Sequence, residues 1–192
     1  MEDMESWLSP TRGIQLQLRS FLESAPAVPV VLIVLNTQNH NSVVSELLKV
    51  WKSSPLTYFT LNQSAEDVLS RLKQEPLPLE KMQFIDAVSL ASGRKPAKLK
   101  NVEYLESPSD LLDISAALLK ATAKKQGVVV FDSVSTLLLY NKPEAVEKFI
   151  HSLVNKFKSQ KTGCAFVMVQ SSEQRRTIEN VSQFVDRVIP VL

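Results

Sequence analysis

Glycine is scarce: the chain has four in 192 residues, about 2% where soluble proteins average near 7%. Mobile loops that cradle phosphate groups concentrate glycine, so the shortage argues against a working cradle. No G-x-x-x-x-G-K-S/T occurs anywhere in the chain. Cysteine is nearly absent too. The single Cys164 sits in an apolar strand pattern, which excludes an intramolecular disulfide framework, fits a reducing compartment and reads as buried packing. Two histidines, His40 and His151, give with one cysteine no zinc spacing, and each reads as a surface histidine. Long hydrophobic runs are missing as well. The longest is Val30 to Leu35, with Ala27 and Val28 ahead of Pro29, far short of the ~20 residues of a membrane helix. The start of the chain, acidic at Glu2, Asp3 and Glu5, lacks the basic onset of a secretory signal. The expected location is cytoplasmic, without membrane association.

What is present reads as one globular domain. With 44% hydrophobic residues, 22% charged residues and a formal charge of +2, the composition excludes disorder, collagen-like repeats and a strongly basic nucleic-acid binder. After an amphipathic segment carrying Ile14, Leu16, Leu18, Phe21 and Leu22, short β-branched runs alternate with helical periods. Strands are expected at Val30–Leu35, Leu56–Leu61, Gln83–Asp86, Val102–Leu105, Val128–Asp132, Cys164–Val169 and Phe184–Leu192. Helices are expected from Ser42 through Trp51, after a capping pattern at Ser64-Ala65-Glu66-Asp67, from Ser107-Pro108-Ser109-Asp110 to Lys124-Lys125, from Pro143 to a stop at Gly163, and over Glu173–Asn180. This alternation predicts an α/β fold of three layers, α/β/α, with six or seven mostly parallel strands and helices on both faces. A short N-terminal helix precedes it, giving an extension over 1–27 and the domain over 28–192.

The run Val128-Val129-Val130-Phe131-Asp132, followed by Ser133-Val134-Ser135-Thr136-Leu137-Leu138, places a carboxylate at the C-terminal edge of the sheet. Nucleotide-binding α/β proteins hold a metal and its water there. Asp132, Ser133 and His151 contain the letters of a hydrolase triad, but no G-x-S-x-G elbow accompanies them. Arg94-Lys95-Pro96-Ala97-Lys98-Leu99-Lys100 is the one dense basic run, a candidate contact for nucleic acid through Arg94, Lys95, Lys98 and Lys100, or a solvated loop.

Phe84-Ile85-Asp86-Ala87-Val88-Ser89, Ser107-Pro108-Ser109-Asp110-Leu111, Val130-Phe131-Asp132-Ser133-Val134-Ser135-Thr136-Leu137 and Phe149-Ile150-His151 together resemble archaeal KaiC-like proteins of the RecA superfamily, over roughly residues 28 to 192. The resemblance implies a RecA-like domain and a phosphate loop after the first strand, where glycines open the backbone, lysine neutralises charge and Ser/Thr ligates magnesium. Asn36 to Asn41 fill that turn instead, with neither glycine nor lysine. Ser42 or Ser45 stands where a magnesium ligand would be, or serves as a helix cap. The family pattern also implies acidic residues at the end of the second strand. Here Leu61-Asn62-Gln63-Ser64 stand there, and an amide cannot take a proton at neutral pH. Asp132 then reads as a vestigial magnesium-side carboxylate or, with no lysine upstream, as a strand-end cap bonded to Ser133 or Ser135. Gln170 resembles the residue that senses the terminal phosphate, or is a hydrogen-bonded strand-end glutamine. Arg175-Arg176 lies where ring-forming relatives meet a neighbour, or forms a surface ion pair.

The expectation is therefore a degenerate, catalytically inactive member of this superfamily: a pseudo-ATPase with no cofactor, acting as a regulatory or protein-interaction subunit in signal transduction. A protein partner or a second copy would engage it through RecA-type surfaces, with the Ile14–Leu22 segment docking on a neighbour or on its own core. The rival expectations are a divergent ATPase built on Asp132, a nucleic-acid-associated accessory protein using Arg94 to Lys100, and a subunit of an elongator-like ring.

Overall fold

A strand buried on both faces needs a continuous run of Val, Ile, Leu and Phe rather than an alternating one, and the apolar runs of this chain form such strands. The computed structural model describes residues 29–123 and 127–191, together with Gly13 and Ser20. Apart from Gly13 and Ser20, the expected extension over 1–27 with its Ile14–Leu22 segment lies outside the described residues, as does Lys124-Lys125. The strands are β1 (Val30–Leu35), β2 (Leu56–Thr60), β3 (Gln83–Asp86), β4 (Val102–Tyr104), β5 (Val128–Asp132), β6 (Gly163–Val169) and β7 (Arg187–Val191). They form one sheet in the order β4-β3-β2-β5-β6-β1-β7. Every pairing is parallel, so the expected mostly parallel sheet is wholly parallel among the described residues.

The pleat sends alternate residues to opposite helical layers. Val31, Ile33, Tyr58, Phe84 and Val130 pack beneath α1 (His40–Trp51) and α2 (Ala65–Leu72). Leu32, Phe59, Ile85, Phe131 and Phe166 pack beneath α3 (Leu111–Thr122), α4 (Val134–Tyr140), α5 (Pro143–Gln160) and α6 (Arg175–Ser182). Phe131 is the hub of the second layer, with ring centroids 4.6 Å from Phe59, 5.5 Å from Phe166 and 6.2 Å from Phe149. Each such aromatic pair adds about 0.5–1.5 kcal/mol to the area it buries. Gly127 is required by a close approach: a Cβ there would stand 2.4 Å from the Pro55 carbonyl oxygen.

Helix ends follow the local chemistry, with corrections. Ser64 caps α2, accepting from the Asp67 N–H at 3.1 Å and donating to the Asp67 carboxylate at 2.6 Å. Pro143 opens α5 as expected. Helix α1 begins at His40, two residues before Ser42, because Asn36 to Asn39 close a 3-10 turn that feeds straight into it. Asp110, not Ser107, caps α3, since its carboxylate accepts from both Leu112 and Asp113 N–H at 3.0 Å. Helix α4 was not foreseen; Ser133 caps it through the Thr136 N–H. At the far end of α5 the expected stop at Gly163 is also corrected. Lys161 takes the left-handed conformation (φ 54°) that ends the helix, and Gly163 already belongs to β6. A lysine in that conformation is strained by roughly 1 kcal/mol relative to glycine. Lys161→Gly is therefore expected to stabilise the protein by about 0.5–1 kcal/mol, read as a higher urea midpoint with an unchanged slope.

Candidate functional site

The C-terminal ends of β1, β2 and β5 meet the first turns of α1 and α2 at the crevice where open parallel sheets bind ligands. At its head, Asn36 turns its own side chain inward: Oδ1 accepts from the Asn39 N–H at 3.0 Å, closing the turn on itself. The Ser42 hydroxyl donates to the Asn39 carbonyl at 2.9 Å, and so serves the start of its own helix. Ser45 is buried among the core residues of α1.

Asp132 ends β5 with 2% of its surface exposed, and its peptide to Ser133 is cis. Its carboxylate does not turn to Ser133 or Ser135, as the cap reading expects. Oδ1 accepts from His40 Nε2 at 2.6 Å and from the Asn62 amide at 2.7 Å. Oδ2 accepts a very short hydrogen bond from the Tyr58 hydroxyl. Ser133 caps α4 instead, and the Ser135 hydroxyl binds the Gln174 side chain at 2.8 Å. Asn62, at the end of the second strand as anticipated, joins the network to α4, because its carbonyl accepts from the Thr136 hydroxyl.

Three residues of this network were missed. His40, expected at the surface, has a side chain only 16% exposed and contacts Asp132 directly. Burial alone lowers its pKa, but the hydrogen bond and negative charge of Asp132 outweigh burial and leave it raised above 6.5. Tyr58 is fully buried; burial first, then the Asp132 charge and hydrogen bond, hold its hydroxyl well above 10.0 and so protonated. The Arg71 guanidinium of α2 is felt electrostatically by both His40 and Tyr58. It opposes both shifts, at Tyr58 through a side-chain contact as well as through its charge, although none of its nitrogens makes a well-aligned hydrogen bond. A signal was available for two of the three. His40 lies three and four residues before Val43 and Val44, and Arg71 three after Val68, so each shares the apolar face of its helix.

The remaining candidates do not join this network. Gln170 lies just past β6 with an exposed side chain, and its backbone N–H donates to the Leu35 carbonyl at 2.8 Å. Arg94 pairs with Asp67 at 3.5 Å, while Lys95, Lys98 and Lys100 are exposed along the loop between β3 and β4. Arg175 pairs with Glu179 at 3.0 Å on its own helix. His151 is exposed and packs on Phe184. Burial pushes the Cys164 thiol well above its usual pKa, which leaves it inert as a nucleophile. Among the described residues no group of three His, Cys, Asp or Glu is placed to hold a metal ion. None of the described helices is long and apolar enough to cross a membrane. Two open clefts of about 350 and 600 Å³ lie at the opposite, N-terminal ends of β2, β3 and β5, sharing Pro55, Leu56 and Lys81.

The wholly parallel sheet, its strand order and the crevice bounded by Asp132 define an α/β protein of RecA-type, KaiC-like fold. The KaiC-like protein PH0186 of the hyperthermophilic archaeon Pyrococcus horikoshii OT3 superposes with a TM-score of 0.61 over 86% of this chain and 71% of that one, at 13% sequence identity. The chain belongs to the family described as "Family of unknown function (DUF7504)", whose model matches residues 22–191. No curated protein matches it.

Proposed function

We propose that this protein is a catalytically inactive, KaiC-like domain, a pseudo-ATPase that acts as a regulatory or protein-interaction subunit in signal transduction in the cytoplasm. The observation that carries this reading is how far Asp132 is committed to its own side-chain partners. A carboxylate offers about four acceptor positions, and His40, Asn62 and Tyr58 occupy three of them. A magnesium ion or its water would compete with these donors for the carboxylate, in a crevice that already holds the positive charge of Arg71. The phosphate side is equally occupied, because Asn36 fills the turn that glycine and lysine would have to form. Asn62 orients Asp132 and Thr136 and supplies no general base.

Function would then reside in surfaces. Leu112, Leu139 and Tyr140 are 84%, 78% and 52% exposed. They flank the point where the Asn141 amide reaches the Pro108 carbonyl at 3.5 Å, joining the end of α4 to the turn before α3. Exposed apolar groups of this size suit a protein partner or a second copy. Isothermal titration with ATP and magnesium tests the reading. No saturable heat is expected up to millimolar nucleotide, whereas micromolar binding that Asp132→Asn abolishes would establish the ATPase alternative.

A further inference from the structure

Leu112, Leu139 and Tyr140 contribute nothing to the core. On α3 the core is served by Leu111 and Ile114, and on α4 by Val134 and Leu137, while these three side chains belong to neither apolar layer and stand in solvent. Large apolar side chains exposed singly are ordinary; exposed together they mark a contact surface. Here the Asn141 amide, reaching the Pro108 carbonyl at 3.5 Å, brings the last turn of α4 against the segment that opens α3. Charge singles out the same place. Glu106, Asp113 and Glu144 are exposed and, among the described residues, have no cation within ion-pair distance. Asp113 and Glu144 suit the first helical turns in which they sit. Glu106, between β4 and α3, serves no helix. Lys142 is the one basic residue within 105–119 and 137–147, so along both stretches acid outweighs base.

We propose that Leu112, Leu139 and Tyr140 form a docking surface for a basic amphipathic helix of a partner protein, its apolar stripe on the three side chains and its Lys or Arg residues against Glu106, Asp113 and Glu144. The anchors come from two helix ends and not from a sheet edge. No row of unpaired backbone groups is offered, so an extended strand gains nothing here. A helix with apolar residues at i, i+3 and i+7 needs only side chains to meet, and side chains are what this surface supplies. Two copies facing each other through it would set Glu106, Asp113 and Glu144 against their own kind, and like charges across an interface oppose association. Nucleic acid and acidic peptides are disfavoured by the same sign. A basic helix is matched on both counts: burial of the apolar trio supplies affinity, while the carboxylates select the charge of the partner and speed the encounter. The inference rests on the function proposed above and deepens it by giving the chemistry of the partner.

Amide NMR of the full-length protein, titrated with two synthetic helical peptides that share one apolar pattern, tests the proposal. One peptide carries Lys at its polar positions and the other carries Glu. The Lys peptide is expected to shift the Leu112, Asp113, Leu139 and Tyr140 amides saturably and to bind about tenfold tighter than the Glu peptide, the combined effect of three exposed ion pairs. Added salt should shrink that difference. Leu139→Glu is expected to abolish the shifts, and Glu144→Lys to weaken the Lys peptide by about fivefold. Both positions are exposed, so the fold survives either change. Equal binding of the two peptides overturns the proposal, as do shifts that fall elsewhere. A dimer seen by light scattering and lost in Leu139→Glu overturns it too, since a second copy is then the occupant. The remaining occupant is the chain's own Ile14–Leu22 segment, preceded by Arg12 and carrying Arg19. If Leu18→Glu moves the Leu112 and Tyr140 amides in peptide-free protein, that segment holds the surface and the partner reading falls. The comparison of the two peptides on the wild type needs no variant, so a poorly folding substitution leaves it decisive. Saturable binding of magnesium ATP would instead sink the inactive-domain reading and leave the peptide result standing, so the two failures are distinguishable.

Discussion

Replacing Asp132 by alanine is expected to destabilise the protein by about 3–5 kcal/mol, the cost of removing one partner from a buried, hydrogen-bonded charge cluster. The substitution strips the Tyr58 hydroxyl of its acceptor at full burial and removes the negative charge that offsets Arg71. His40 and the Asn62 amide lose an acceptor at 2.6 Å and 2.7 Å. A carboxylate kept free for a metal behaves in the opposite way, since neutralising a strained functional group commonly leaves stability unchanged or raises it. Urea unfolding of Asp132→Ala therefore separates a structural carboxylate from a waiting catalytic one. Adding Tyr58→Phe should recover part of the loss, because the phenyl ring brings no unsatisfied hydroxyl into the core. The loss should also depend on pH with a definite sign. His40 has its folded pKa raised above 6.5, so its contribution is fully present below that value and is lost as pH rises through the folded pKa. The gap between wild type and Asp132→Ala should therefore narrow toward alkaline pH. A gap that widens there would contradict the ion pair.

Strands were the legible part of this fold, because strands buried on both faces need runs such as Val30–Leu35 and Val128–Asp132 that no other element of that length needs. Three of the strands, β1, β3 and β5, have the boundaries expected from sequence. Helix boundaries were legible where a side chain meets its own backbone, as at Ser64 and Pro143. They failed where the deciding atom was not the obvious one. Gly163 looked like the stop of α5, but Lys161 takes the left-handed turn two residues earlier. Val134-Ser135-Thr136 is β-branched at two of three positions and follows a strand directly, so nothing in its composition marks the helix that Ser133 caps there.

The crevice was legible as a set of absences and illegible as a set of contacts. Missing glycine and lysine in 36–41 and the amide at Asn62 are local facts. That His40 meets Asp132 across 92 positions and Tyr58 meets it across 74 is a product of β1, β2 and β5 lying near one another in the sheet. Sequence spacing carries no trace of that proximity. The rule that a lone histidine belongs to the surface then misleads, because the nearest counter-charge is remote in the chain. The placement of His40 and Arg71 on apolar helix faces was the only local hint that polar groups were being buried in pairs.

Asp86→Ala is expected to cost a comparable 3–5 kcal/mol, for a different reason. Asp86 ends β3 with none of its surface exposed and makes four hydrogen bonds. Oδ2 accepts from the Ala65 N–H at 2.7 Å and the Ser89 hydroxyl at 2.7 Å, and Oδ1 accepts from the Val88 and Ser89 N–H groups at 2.8 Å each. One of these donors opens α2, so the carboxylate satisfies a free helix-end amide and sits at the positive end of the helix dipole. The others fold the chain back after β3. Alanine leaves two buried backbone N–H groups without acceptors, at about 1–3 kcal/mol each. Asparagine keeps the shape but points an NH2 at donors on one side, so Asp86→Asn should recover less than half of the loss. Hydrogen exchange locates the effect: the Ala65, Val88 and Ser89 amides, slow in the wild type, should exchange fast in both variants, while β1 and β6 amides keep their relative order. The block Phe84-Ile85-Asp86-Ala87-Val88-Ser89 is then a device that fastens α2 to the sheet edge, and Arg71, carried on that helix, reaches the crevice only as long as it holds.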